Sequence, residues 1–328
     1  MSLDRRQLLQ TLAAITAAGN AHAVAGATTL TTDYHWPSAE RIALWPQGAP
    51  GRSGYRAPAL QPDWPAHFLR GIERPELHVF RPAHPDGRAV LVCPGGAYLF
   101  VSIQNEGLDV ARAFNAAGIT VFVLAYRLPC EGWNARADVP LQDAQRAIRL
   151  IKFKAADYGI DPQQVGVMGF SAGGHLAATL ATSWQDTVYP PVDAADLLSA
   201  RPAHAALIYP VITLAAPLGH ADSTRNLLGE TPDTALLAHR SPEQRVNGQT
   251  PRVFLVHAAD DGAVPSAHAE LMHRSLRAAG IASELHLYER GDHAFGIGRP
   301  GTGSELWPAL YGAWLTPSGH GSSKTSGA

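Results

Sequence analysis

Gly169-Phe170-Ser171-Ala172-Gly173 stands between an apolar run, QVGVMGF, and a helix-forming run, HLAATLAT. A serine at such a join is either a hydroxyl capping a helix or an attacking nucleophile. The surrounding residue types favour attack. Gly169 and Gly173 lack side-chain bulk on either side, so strand and helix can close around a strained turn that lifts the hydroxyl above a sheet. The free amides and positive dipole end of the following helix then face any developing oxyanion. A nucleophilic serine also needs a base and a group that orients the base, and these must come from elsewhere in the chain.

Two later strand-like runs supply candidates. RVFLVHAADDGAVP ends in adjacent acids, Asp260 and Asp261, and SELHLYERGDHAFG ends in His293 within a Gly-flanked loop. Asp261 is the stronger candidate of the two, because it opens the turn where the chain leaves the strand, and a buried carboxylate there would hold a neutral imidazole in one tautomer. Among the other histidines, His175 lies one turn inside the helix after Ser171 and reads as a core residue. His257 reads as buried in a strand end.

A third run, RAVLVCPGGAYLF, places Pro94-Gly95-Gly96-Ala97-Tyr98 after a buried strand. Consecutive small residues let main-chain amides point into a cleft. The amides of Gly96 and Ala97, joined by that of Ala172, are the predicted oxyanion donors. Tyr98 beside that turn and Trp133 in EGWNARADVP are candidate substrate contacts, able to stack on a ring. Glu106 in QNEG could reach the cleft rim, but capping of the following helix is the plainer reading. GIGRPG at 296–301 lacks the strand and downstream acid of a dinucleotide site. HAELMH spaces its histidines five apart, off the one-face geometry of a helical zinc site, and reads as a solvated helix face. The chemistry requires neither metal nor cofactor.

These residues must be held by a scaffold, and the scaffold is legible as alternation. ELHVF, RAVLVC, ITVFVLAY, QVGVMGF, HAALIYPVI, RVFLVHA and SELHLYE are strand candidates. Helices are predicted at 105–117, 139–158, 172–183, 266–279 and 304–315. In the second, Leu141, Ala144, Ile148, Ile151 and Ala155 recur at helical steps on one buried face. Strands alternating with helices predict an α/β fold with a mostly parallel central sheet of about eight strands, whose ligands gather at the strand carboxyl ends.

Domain limits follow from composition. Residues 24–75, rich in Pro, Gly and Trp, read as an irregular segment packed on the catalytic domain at 76–316, and 317–328 as a disordered tail. Arg5 and Arg6 precede a short apolar run and Ala21-His22-Ala23, so 1–23 reads as a twin-arginine signal directing the chain to the periplasm or outside the cell. That run is too short to span a bilayer. With 26 Lys+Arg against 28 Asp+Glu there is no basic surplus to attract nucleic acid or anionic membrane. The two cysteines, Cys93 and Cys130, are expected as buried thiols rather than a bridge.

Taken together, LWPQGAPG, CPGGAYLFVSIQNEG, AYRLP, PLQDAQRAIRLIK, YGIDPQQVGVMGFSAGGHLAATLA, HAADDGAVP and GDHAFG resemble the α/β-hydrolase superfamily, in its carbohydrate-esterase-like branch of acetylxylan and xylanase-associated esterases. The resemblance runs from about Ile42 to Leu315. It implies a triad of Ser171, Asp261 and His293, oxyanion donors at Gly96 and Ala97, and acetyl or other short acyl groups on plant polysaccharide as substrate. Ala97 stands where many relatives carry a third Gly, and Pro94 where hormone-sensitive-lipase-like relatives carry His. A general short-chain carboxylesterase, a prolyl-oligopeptidase-like peptidase and a non-catalytic binding protein of the same fold are the competing readings. The chain is too short for the last but one to carry a gating propeller.

Overall fold

The predicted strand at Glu76 is preceded in the sheet by one that composition did not reveal. The computed structural model describes residues 40–316, apart from 60 and 62. Its strands are β1 (Glu40–Ala43), β2 (Phe68–Leu69), β3 (Glu76–Phe80), β4 (Ala89–Cys93), β5 (Val101–Ser102), β6 (Thr120–Ala125), β7 (Val165–Phe170), β8 (His204–Ile208), β9 (Arg252–Ala258) and β10 (Ser283–Tyr288). Eight form one sheet in the order β1-β3-β6-β4-β7-β8-β9-β10, while β2 and β5 pair separately. Neighbours from β6 through β10 are parallel, and β1 and β3 run antiparallel at one edge. Every residue of β4, β6 and β7 is buried. Their unbroken apolar runs follow from having both faces covered.

The helices are α1 (Asp109–Ala116), α2 (Val139–Phe153), α3 (Ala155–Tyr158), α4 (Ser171–Ser183), α5 (Ala221–Leu228), α6 (Thr234–His239), α7 (Ala267–Ala278) and α8 (Trp307–Leu315). The helix predicted over 139–158 breaks at Lys154, whose ψ of 13° leaves the helical range and separates α2 from α3. The one predicted over 105–117 begins instead as a π turn, Gln104–Leu108. No helix was predicted between 209 and 250. Yet Asp233 caps α6 by accepting the Leu236 amide at 2.7 Å, a signal present in the sequence TPDTALLAH.

The segment read as irregular is corrected in part: it contributes β1 and β2. It is anchored by buried polar bonds, Trp45 Nε1 donating to Asp143 at 2.7 Å and Arg146 Nε to the Leu44 carbonyl at 3.0 Å. These bonds explain why α2 buries Asp143 and Arg146 as well as its apolar face, while its buried Gln142 and Gln145 donate to the carbonyls of Val188 and of Ser183 and Asp186. The signal expected at 1–23 and the tail expected at 317–328 lie outside the described residues. Among the described residues no helix is long and apolar enough to cross a membrane.

Candidate active site

Ser171 is the first residue of α4, directly after β7, and its φ is 51°. A non-glycine residue in this left-handed region carries strain that only a well-determined surround sustains. The surround is tight. A side chain at Gly169 would collide with the carbonyl of Gly173, and one at Gly173 with the carbonyl of Cys93. The next strand loop adds a tie, the Val211 amide donating to the Ser171 carbonyl at 3.0 Å.

The loops after β9 and β10 bring the other two residues to Ser171. His293 Nε2 lies 2.9 Å from Ser171 Oγ, and His293 Nδ1 lies 2.7 Å from Asp261 Oδ2. Asp261 Oδ1 accepts the amides of Ala263 and Val264 at 3.0 and 2.8 Å, and its Oδ2 is also 3.2 Å from His257 Nε2. Burial pushes this carboxyl upward, but hydrogen bonds from His257 and His293, the charge on His293 and the Val264 amide outweigh it, so it sits well below the ordinary carboxylate range. An ionised Asp261 accepts from Nδ1–H and leaves the Nε2 lone pair facing the serine hydroxyl.

Asp260 is not redundant. Its Oδ1 accepts the amides of Gly291 and Asp292 at 2.9 and 2.7 Å, which shapes the loop carrying His293. Both neighbours of His293 are strained, Asp292 with φ 55° and Ala294 with φ 57°. Further bonds hold the loop: Asn105 Nδ2 to the Ala294 carbonyl at 3.2 Å, Arg299 Nη2 to the His293 carbonyl at 3.2 Å, and Trp307 Nε1 to the Gly296 carbonyl at 3.0 Å.

In the Pro94–Tyr98 turn, every carbonyl is engaged by the protein. Pro94 accepts from Tyr126 Oη at 2.7 Å, Gly95 from the Ser102 amide at 3.0 Å, Gly96 from the Leu99 amide at 2.9 Å, Ala97 from Asn226 Nδ2 at 2.8 Å and Tyr98 from Cys130 Sγ at 3.4 Å. The Gly95 amide is taken by Glu106 Oε2 at 2.7 Å. The amides of Gly96 and Ala97 have no protein acceptor among the described residues. Gly96 (φ 127°), Ala97 (φ 52°) and Tyr98 (φ 58°) all have positive φ, a strained conformation for the two non-glycine residues. The turn abuts Ser171, since a side chain on Gly95 would lie 2.9 Å from Ser171 Cβ. Two unsatisfied amides beside a serine hydroxyl, with that of Ala172 at the helix start, can hold an oxyanion.

Several side chains are not where the sequence suggested. Tyr98 is 1% exposed, with its hydroxyl 2.7 Å from His175 Nδ1, so its ring packs beneath the turn and is closed to substrate. Trp133 is 3% exposed, sandwiched by Tyr55 (centroids 4.6 Å apart) and the Arg127 guanidinium (4.9 Å), and is core as well. In each case an aromatic near a strand end met enough apolar surface to be buried. His175 is a core residue as read, its Nε2 2.8 Å from the Arg240 carbonyl. The helix face carrying His268 is not solvated: His268 is fully buried, accepting the Ile212 amide at 2.9 Å. Both cysteines are free, Cys93 buried and Cys130 half-buried. Glu106 is not a helix cap but is 3% exposed behind the oxyanion turn. Burial raises its carboxyl above the ordinary range, partly offset by the Gly95 amide and the Tyr209 hydroxyl.

A mostly parallel eight-stranded sheet, with a serine at the elbow after a central strand and acid and imidazole on loops after later strands, defines an α/β-hydrolase. Within that class the chain matches the family described as BD-FAE over residues 77–276, and it belongs to that family. An acetylxylan esterase of Xylanibacter ruminicola is 34% identical over 227 residues, covering 68% of this chain and 44% of that protein. Endo-1,4-beta-xylanase B of Butyrivibrio fibrisolvens is 35% identical over 208 residues, covering 63% of this chain and 32% of its own length. The chain thus spans less than half the length of either relative. Among solved structures, an acetyl ester-xyloside bifunctional hydrolase from Caldicellulosiruptor lactoaceticus superposes with TM-score 0.71 at 33% identity, covering 86% of this chain and 97% of that one. The carboxylesterase Cest-2923 from Lactobacillus plantarum gives TM-score 0.62 at 25% identity, covering 74% and 92%.

Proposed function

We propose that the chain is a serine esterase that removes acetyl or other short acyl groups from plant polysaccharide or oligosaccharide. The observation that carries this reading is the relay from Asp261 Oδ2 to His293 Nδ1 at 2.7 Å and from His293 Nε2 to Ser171 Oγ at 2.9 Å, set beside two amides with no acceptor among the described residues. His293 takes the hydroxyl proton as Ser171 attacks the ester carbonyl. The tetrahedral oxygen accepts from the amides of Gly96, Ala97 and Ala172, while Asp261 stabilises the imidazolium through Nδ1–H. Collapse breaks the bond to the alcohol, which leaves with the proton from Nε2, and water activated by the same imidazole then cleaves the acyl-serine.

The carbohydrate substrate rests on the acetylxylan esterase and the acetyl ester-xyloside hydrolase to which the chain is similar. Acetate release from acetylated xylan by the purified chain, lost on fluorophosphonate labelling of Ser171, tests it. A general short-chain carboxylesterase is the second reading. It is favoured by the burial of Tyr98 and Trp133, which removes both aromatic contacts expected for a sugar, and by the similarity to Cest-2923. Hydrolysis of p-nitrophenyl acetate with no release from xylan, mannan or pectin selects this reading. We further propose export by the twin-arginine route, supported by Arg5 and Arg6 ahead of the apolar run. Retention of the chain in the cytoplasm when both are replaced by Lys is the expected result.

A further inference from the structure

We propose that Glu106 and Tyr209 form a buried strut joining the oxyanion turn to the loop that carries His293, which makes Glu106 a positioning residue for acyl transfer. The proposal rests on the esterase reading above. One carboxylate serves both sides of the site. Its Oε2 accepts the Gly95 amide at 2.7 Å, one residue before the two free amides. Its Oε1 accepts the Tyr209 hydroxyl at 2.9 Å, and that hydroxyl oxygen in turn accepts the Gly296 amide at 3.1 Å, in the base loop. The Tyr209 ring also lies 5.0 Å from the His293 imidazole and 4.5 Å from Phe295, both edge-on.

The element that delivers this carboxylate is the π turn Gln104–Leu108, in which the Leu108 amide reaches back to the Ile103 carbonyl at 2.8 Å. A turn widened in this way trades hydrogen-bond geometry for side-chain placement. Here it places two consecutive side chains on the site: Asn105 Nδ2 holds the Ala294 carbonyl at 3.2 Å, while Glu106 acts through Tyr209 on Gly296. The base loop is therefore gripped just after His293 at two points by the same turn that fixes Gly95. Tyr209 is itself strained, with φ 36°. There is no slack between the parts, because a side chain on Gly95 would approach Ser171 Cβ to 2.9 Å and Glu106 Oε2 to 3.0 Å. A shift of this strut moves oxyanion donors relative to the imidazole, which affects the transition state more than the bound substrate.

The test compares the full chain with Glu106→Gln, Tyr209→Phe and the double variant, using p-nitrophenyl acetate and a trifluoromethyl ketone analogue of an acetyl ester. Each single change is expected to lower kcat about 10- to 100-fold with KM within about threefold, and to weaken the ketone by the same factor as kcat/KM. The double variant is expected to lose little more than the worse single one, because both break the same strut. A kcat within about twofold of the unaltered chain, a loss confined to KM, or a double loss equal to the product of the singles overturns the proposal. If Glu106→Gln fails to fold, Tyr209→Phe, which removes one hydroxyl, decides by the same criteria. Failure of the esterase reading shows in the unaltered chain as absent turnover, whereas failure of this inference shows only in the variants.

Discussion

Arg127 and Asp143 are both fully buried beneath the β1 segment, and in the cluster of Ser171, Asp261 and His293 the first two are buried and His293 is partly so, yet the two clusters spend their polar capacity differently. In the first, Asp143 accepts from Arg127 Nη2 at 2.7 Å, from the Arg127 amide at 2.9 Å and from Trp45 at 2.7 Å. Nη1 of the same guanidinium donates to the Pro50 carbonyl at 2.6 Å, and Nη2 also donates to Gln142 Oε1 at 2.9 Å. The pair is closed on itself and its residues carry none of the left-handed backbone seen at the site. In the second, the carbonyls of the Pro94–Tyr98 turn are closed inward while the Gly96 and Ala97 amides stay open, and Ser171, Ala97, Tyr98, Asp292 and Ala294 all have positive φ. Burial of polar side chains therefore does not mark a reactive centre in this protein. Open hydrogen-bonding capacity held by strained backbone does.

The sharpest way to break this contrast is to delete one group from each cluster. Ser171→Ala is expected to cut ester turnover by about 10⁴-fold or more while leaving the melting temperature within a few degrees, since only an oxygen is lost from a strained position. Acetate release and a thermal melt on the same sample check it, and surviving turnover removes the site. Asp143→Ala should do the reverse, destabilising the fold by about 3–5 kcal/mol by leaving Arg127 charged and unpaired, with fluorophosphonate labelling of the folded fraction unchanged. Denaturant unfolding measures this loss. A stable Asp143→Ala protein with impaired labelling would reverse the assignment of the two clusters.

Acid sharpens the comparison less drastically. Burial lowers His175 to about 4, His204 to about 3 and His268 to about 4. Unfolded, each takes a proton near pH 6.5, so between about pH 6.5 and 4 the unfolded chain binds more protons and stability falls as pH falls. Asp261 is already below that window and stays ionised across it. A melting temperature on the order of 5–10 °C lower at pH 5 than at pH 7 is expected. A flat profile would mean these histidines are charged in the native core. The smallest effect concerns Trp133: Trp133→Phe keeps ring packing against Arg127, so kcat/KM on acetylated xylan should stay within about twofold. A larger fall in affinity for the polysaccharide alone would return Trp133 to the substrate site.

How much was legible depends on whether the signal was local. Each of the runs read as a strand joins the sheet; β4, β6 and β7 read most plainly, because a strand buried on both faces must be apolar throughout, while β10 at the edge has no buried residue. β1 escaped because at a sheet edge its burial is broken and its residues ERIA carry two charges. Ser171 was legible because a serine flanked by Gly at two positions on either side, between a strand and a helix, has few structural uses. Trp133 and Tyr98 were misjudged because an aromatic after a strand looks the same in sequence whether it faces a cleft or a core.

By itself, then, the sequence determined the α/β alternation, the turn at Ser171, and the chain positions of an acid and an imidazole able to reach it. Those properties are set by periodicity, small residues and turn chemistry within a few residues of each site. Only the tertiary structure divided the labour between Asp260 and Asp261, left the Gly96 and Ala97 amides open, and placed Glu106 against both Gly95 and Tyr209. These depend on contacts between segments far apart in the chain, where a hydrogen bond of 3 Å or less decides the outcome and no local pattern records it.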